Sequence, residues 1–198
     1  MEAMTLEQTI IPALSQRLAA GERVLLAIDG RSAAGKTTLA AALGAQYGGA
    51  VFHMDDFFLR PAQRTPERCA QPGGNVDRER VLAEVLGPLS RGEDVTFRRY
   101  DCRTGTLQPP QTVRPGRLAI VEGAYAMHPE LAGFYDLSVF LTIDPAEQRR
   151  RILARNGPDW GEDFFRRWIP REETYFSACR TEARCTWVLR GEKLPNRR

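Results

Sequence analysis

Lysine is almost missing from this sequence: of its 28 basic residues, only Lys36 and Lys193 are not arginine. Histidine is as scarce, with His53 and His128 alone, which leaves little from which to build a Ser–His–Asp triad or a histidine-rich zinc site. The four cysteines (Cys69, Cys102, Cys179 and Cys185) lack Cys-x-x-Cys spacing and read as free thiols in a reducing cytosol. No apolar run approaches the ~18 residues of a membrane span. The opening MEAMTLEQTI has an early Glu and no apolar signal-peptide core. A strong charge of one sign is absent too, since the net charge of +3 is too small to imply nucleic acid as the partner. The expectation is a cytoplasmic protein with neither a membrane nor a nucleic-acid partner, acting alone or as a homo-oligomer.

What is present has the balance of an ordinary globular chain. With 198 residues, 42% hydrophobic and 27% charged, residues 1–198 suit one domain. Leu6, Ile10, Leu14 and Leu18 recur at helical spacing in residues 5–20. VLLAID (24–29) is a short continuous apolar run, the pattern of a parallel strand covered on both faces. A helix over 36–47, ended by Gly48 and Gly49, leads to a second strand over 50–54. Residues 57–76 are rich in Pro, Gly and Arg and read as a loop or lid rather than core. An amphipathic helix over 77–89, capped by Asp77, precedes a hairpin around Thr104 and Gly105. Strands at 117–123 and 137–143, a helix from Pro145 to Arg155, a polar break NGPDWGED, a helix over 163–178 disturbed by Pro170, and a strand at 185–191 complete the order. This alternation predicts an α/β fold: a doubly wound parallel sheet of about five strands with helices on both faces. A hairpin and a helical lid near residues 149–176 are added to it.

The stretch GRSAAGKTT runs through Gly30, Arg31, Ser32, Ala33, Ala34, Gly35, Lys36, Thr37 and Thr38, and it carries the GxxxxGK[ST] spacing between a strand and a helix. Glycines let successive backbone N–H groups curl round phosphate oxygens, and the helix N-terminus adds positive partial charge. Lys36 would reach the β- and γ-phosphates, and the Thr37 hydroxyl would bind Mg²⁺. A chain that otherwise uses arginine keeps lysine here, where a compact ammonium fits a phosphate cradle and a planar guanidinium does not. GRSAAG is no nucleophile elbow, because Ala34 stands where that motif needs glycine. Neither an NKxD base-reading motif nor an LSGGQ signature occurs.

Two further strands end in carboxylates, HMDDFF with Asp55 and Asp56, and AIVEG with Glu122. Ends of parallel strands open on one crevice, so Asp55 and Glu122 should converge on the phosphate site. There a carboxylate can accept the proton of an attacking hydroxyl. Arg151 and Arg155 lie one helical turn apart and share a face, suited either to covering phosphates or to a solvated surface. Phe57, Phe58, Trp168 and Tyr175 either stack on a base or pack the core.

GRSAAGKTTLA, DDFF, RYD, IVEG and RRRILAR together, spread over residues 24–176, resemble the uridine kinase and nicotinamide riboside kinase group of P-loop nucleoside kinases. The resemblance implies a P-loop NTPase fold and ATP with Mg²⁺ as cofactors. It implies Asp55 as the residue that activates the acceptor hydroxyl, and Glu122 as the carboxylate holding Mg²⁺. It places Asp77 on ribose hydroxyls, and Tyr100 and Asp101 beside the base. The expected function is a kinase acting with Lys36, Asp55, Arg151 and Arg155 on a hydroxyl of a nucleoside-like small molecule. The alternatives are a kinase for a non-nucleoside (a pantothenate-like or sugar-phosphate acceptor) and a non-catalytic nucleotide-dependent regulator.

Overall fold

The computed structural model describes residues 8–191, so Leu6 and Lys193 lie outside the described residues. The first helix, α1 (Ile10–Ala19), buries Ile10 and Leu14 as the spacing requires. Strand β1 (Val24–Gly30) is buried at every residue, the environment that a continuous apolar run calls for. It feeds α2 (Lys36–Tyr47), which ends at Gly48 in the left-handed region with φ 64°, and then β2 (Ala50–His53).

Met54 does not extend β2 but opens a 3₁₀ turn, Met54–Phe57. The segment that follows departs from the expected loop. Phe57, Leu59 and Val76 are all buried, and Phe58 bridges Val76 in antiparallel fashion. Burying three large apolar side chains outweighs the Pro- and Gly-rich composition around them. The next helix, α3 (78–91), begins at Asp77, whose side chain accepts the Arg80 N–H. It widens to a π turn at Val81–Leu86, just ahead of Pro88, which has no N–H to give to the preceding turn.

Four short strands form the predicted hairpin in two ladders: β3 (Val95–Phe97) and β4 (Tyr100–Asp101) on the way out, β5 (Thr106–Leu107) and β6 (Gln111–Val113) on the return. β3 pairs with β6 and β4 with β5, both antiparallel. β7 (Leu118–Glu122) and β8 (Leu137–Thr142) return to the main sheet. Helix α4 (Pro145–Asp163) breaks only at Gly157, with φ 74°. The expected polar gap thus shrinks to one residue, because Gly157 can take an extended positive-φ conformation (ψ 172°) that side-chain-bearing residues avoid, and Pro158 is a compatible start for the next helical stretch. A second π turn, Phe164–Trp168, leads into α5 (Ile169–Ala178), with Pro170 in its first turn. β9 (Trp187–Arg190) is the last strand.

The main sheet has five strands in the order β2-β7-β1-β8-β9, and every pairing in it is parallel. The two-residue period of the strands splits the core. Val24, Leu26 and Ile28 face α1 and α2 in one layer, while Leu25, Val121 and Phe140 face the α3 and hairpin side in the other. The carboxyl ends of β1, β2 and β7 therefore point the same way and deliver Gly30, His53 and Glu122 to one edge of the sheet. No helix among the described residues is long and apolar enough to cross a membrane.

Packing of the sheet fixes the first motif glycine before any ligand does. Gly30 has φ 133°, and a Cβ there would collide with the Leu141 backbone of β8. Gly30→Ala should lower the denaturation free energy by roughly 2–3 kcal/mol. Equilibrium unfolding in urea checks this, and an unchanged midpoint would contradict it.

Candidate active site

The loop between β1 and α2 is bent by backbone that side chains rarely adopt. Ala33 has φ 62° and Gly35 φ 98°, the alternation that turns successive N–H groups inward. Gly35 occupies the N-cap position of α2 and provides no side-chain cap. The first amides of the helix are thus left for an anion to satisfy. Lys36 folds back along the loop, with Nζ donating to the Gly30 carbonyl at 2.8 Å and the Arg31 carbonyl at 3.0 Å. The loop residues reaching the cleft are Ser32, Ala33, Gly35, Lys36, Thr37 and Thr38. Ala34 is buried. The Arg31 side chain turns away to Glu173 and to the rings of Phe140 and Phe176.

The cleft has a volume of about 610 Å³. Thr37 Oγ1 donates to Glu122 Oε1 at 3.0 Å, and His53 Nδ1 lies 2.6 Å from the same oxygen. That hydrogen bond raises the His53 pKa, so the ring donates to the carboxylate. The β2–β7 register, His53 opposite Glu122, creates the contact. Asp55 stands in the cleft wall with its side chain open to solvent. The surrounding walls still raise its pKa by desolvation, while Lys36 pulls it down and Glu122 and Asp56 push it up. Its neighbour Asp56 is buried and pairs with Arg99 Nε at 2.8 Å. The two adjacent aspartates therefore have different environments, one facing the cleft and one tied to the start of the hairpin.

Arg151 and Arg155 both line the cleft. Arg151 donates to the Ala33 carbonyl at 3.2 Å and pairs with Glu147 at 2.7 Å. Arg155 lies over the Phe164 ring. Phe58 and Trp168 supply an aromatic wall, their rings 5.8 Å apart, whereas Phe57 and Tyr175 are buried in the core. Asp77, Tyr100 and Asp101 are not among the lining residues. Asp77 is buried, accepting from the Arg80 N–H at 3.2 Å and from Gln63 at 2.8 Å. The Tyr100 hydroxyl accepts from Arg64 at 2.9 Å, and Asp101 accepts the Arg103 N–H at 2.8 Å.

Several residues escaped the sequence reading. Glu172 on α5 accepts the Ser32 N–H at 3.1 Å and the Ser32 hydroxyl at 2.5 Å; only the acidic pair after Pro170 hinted at it. His53 needed the sheet register to be found. Asp29 is fully buried behind the loop and takes hydrogen bonds from Gly30 N–H (2.6 Å), Met127 N–H (2.8 Å) and the Tyr175 hydroxyl (2.8 Å). Thr37 and Glu122 suit a hard divalent cation, which needs one or two protein oxygens when phosphates supply others. Among the described residues there is no group of three His, Cys, Asp or Glu able to hold a metal without such phosphates.

No family model matches the chain. It is 26% identical over 146 residues to phosphoribulokinase of Synechocystis sp., covering 71% of this chain and 44% of that protein. The chain thus spans less than half the length of this curated relative. A possible uridine kinase from Bacillus stearothermophilus superposes with a TM-score of 0.67 and 25% identity, covering 93% of this chain and all of that one. D-glycerate 3-kinase from Cryptococcus neoformans, at 15% identity and TM-score 0.61 over 95% of each chain, shares the fold. The fold is that of the P-loop NTPases, and the likeness lies within the uridine kinase and phosphoribulokinase group of P-loop kinases.

Burial pushes the Asp29 pKa up to about 6 from 3.8, against its three hydrogen bonds and Lys36. Between those values the native protein keeps a proton that the unfolded chain has lost. The associated stability is fully present below pH 3.8 and disappears as pH rises through 6. The stability difference, wild type minus Asp29→Asn, should therefore be greater near the acid end of this window than at neutral pH by roughly 3 kcal/mol. Chemical denaturation at both pH values checks it, and a pH-independent difference would contradict it.

Proposed function

We propose that this chain is an ATP- and Mg²⁺-dependent kinase that transfers the γ-phosphoryl group to a hydroxyl of a small molecule. The observation that carries this reading is the meeting, in one cleft, of the phosphate loop, the Thr37–Glu122 pair and Asp55. In this reading the uncapped α2 amides and Lys36 hold the polyphosphate, and Thr37 with Glu122 would hold Mg²⁺. Held by these two residues, a divalent cation would neutralise phosphate charge. Asp55, its pKa already raised by the cleft, would take the proton from the acceptor hydroxyl as the new O–P bond forms and the bond between the γ-phosphorus and the bridging oxygen breaks, its electron pair leaving on ADP; a raised pKa makes Asp55 a stronger base near neutrality. Arg151 and Arg155 lie on the lid-like stretch 149–176, where their charge complements that of the transferring group. Closure of that stretch excludes water and so favours transfer to the acceptor over hydrolysis.

For the acceptor we infer a nucleoside-like molecule, with its hydroxyl at Asp55 and its flat part against Phe58 and Trp168. A second reading, an acceptor bearing its own anionic group, is favoured by Arg64 and Arg99 near the hairpin and by the phosphoribulokinase likeness. Asp77, inferred to meet ribose hydroxyls, would have to loosen its bonds to Gln63 and Arg80 to do so. Tyr100 and Asp101 would act from the hairpin beside it.

Asp55→Asn should cut turnover by about 10²–10⁴-fold with ATP affinity near that of the wild type. A coupled ADP-release assay across nucleosides, sugars, sugar phosphates and vitamins, with parallel calorimetry, checks this; retained turnover would remove Asp55 from the chemistry. Lys36→Ala should lower turnover or ATP affinity by about 10²-fold. An unaffected enzyme would refute the role of the loop.

A further inference from the structure

Helix α5 grips the phosphate loop from behind and from within. Tyr175 donates to Asp29 and Glu173 pairs with Arg31, both away from the cleft. Glu172 does something different: its carboxylate lies in the cleft wall and holds both donors of Ser32. Its side chain is buried, at 6% exposure, and makes no ion pair among the described residues. Burial raises its pKa, while Lys36 pulls it down and Asp55 pushes it up. A buried anion is costly without such compensation, and here the compensation comes from donors of a loop shaped to receive an anion. Lys36 reaches towards the Gly30 and Arg31 carbonyls, next to Ser32, and in this motif the lysine serves the β- and γ-phosphates. Ser32 therefore borders the terminal-phosphate side of the loop, and Glu172 holds that side.

We propose that Glu172 is a specificity-determining residue for the nucleotide, a resident carboxylate that must surrender Ser32 to the terminal phosphate of a triphosphate. The proposal rests on the nucleotide-binding reading given above. A diphosphate leaves the Glu172–Ser32 contact in place; a triphosphate meets its charge and displaces it. Filling the γ-position and freeing Glu172 from Ser32 then become one event, while the Tyr175–Asp29 and Glu173–Arg31 contacts keep α5 on the loop. After transfer the carboxylate returns to Ser32 and the cleft regains its unliganded contacts.

The test is calorimetry on the full chain with Mg²⁺ and either ADP or β,γ-methylene ATP. Glu172→Gln keeps the shape and removes the charge. It should tighten the triphosphate analogue about fivefold or more while ADP shifts by less than about twofold. Glu173→Gln removes a charge one residue away, outside the cleft, and should leave the ratio of the two affinities unchanged. An unchanged ratio in Glu172→Gln, or an equal shift in Glu173→Gln, overturns the proposal. Loss of ADP binding in both Glu172→Gln and Glu172→Ser also overturns it, because Glu172 would then be holding the loop in shape. A wild-type chain that binds neither nucleotide overturns the nucleotide-binding reading itself, and this inference with it.

Discussion

The uncapped amino end of α2 is the constraint on which the rest of the site depends. Gly35 can adopt φ 98° and supplies no capping side chain, so among the described residues no side chain caps the first-turn amides. Buried or half-buried donors in that state are costly, and the surrounding sequence is arranged around supplying them with negative charge. Lys36 is held back against the loop carbonyls, where it adds to the positive field without filling the cradle. Glu172, hydrogen-bonded to Ser32 of the loop, partly answers that field.

The same field explains why carboxylates can gather here. Asp55 and Glu172 both have raised pKa values because the cleft desolvates them, and Lys36 opposes the rise in each case. Glu122 is steadied by Thr37 and by His53. Like charges brought together in this way favour a cation among them, and phosphate oxygens would complete its coordination. Asp29 belongs to a different problem. It lies beneath the loop, ties Gly30 and Met127 to Tyr175, and so joins the phosphate loop to the segment after β7 and to α5. The chemistry-bearing surface and its scaffold thus share one hydrogen-bonded seam.

Most of the sheet was legible because its strands are continuous apolar runs and its helices repeat at their own period. Val24–Gly30 and Lys36–Tyr47 fall where the pattern puts them, since both are driven by burial that the residue types announce. The segment after Asp56 was harder: composition suggested a loop, and only packing reveals that Phe57, Leu59 and Val76 are core. The π turns before Pro88 and Pro170 reflect missing N–H groups whose local remedy a residue string does not specify. In the site, the motif and strand ends pointed to Lys36, Thr37, Asp55 and Glu122, and these do share a cleft. Glu172, His53 and Asp29 could not be found that way. Their partners are distant in sequence and come together only through sheet register and the return of α5.

Phosphorus NMR of Mg²⁺·ATP, incubated with the protein and a mixture of small hydroxyl-bearing metabolites, reads phosphoryl transfer to an acceptor itself. A new phosphomonoester resonance should grow in step with ADP and be absent when the acceptors are omitted. ADP appearing only with inorganic phosphate, at a rate the acceptors do not alter, would contradict it.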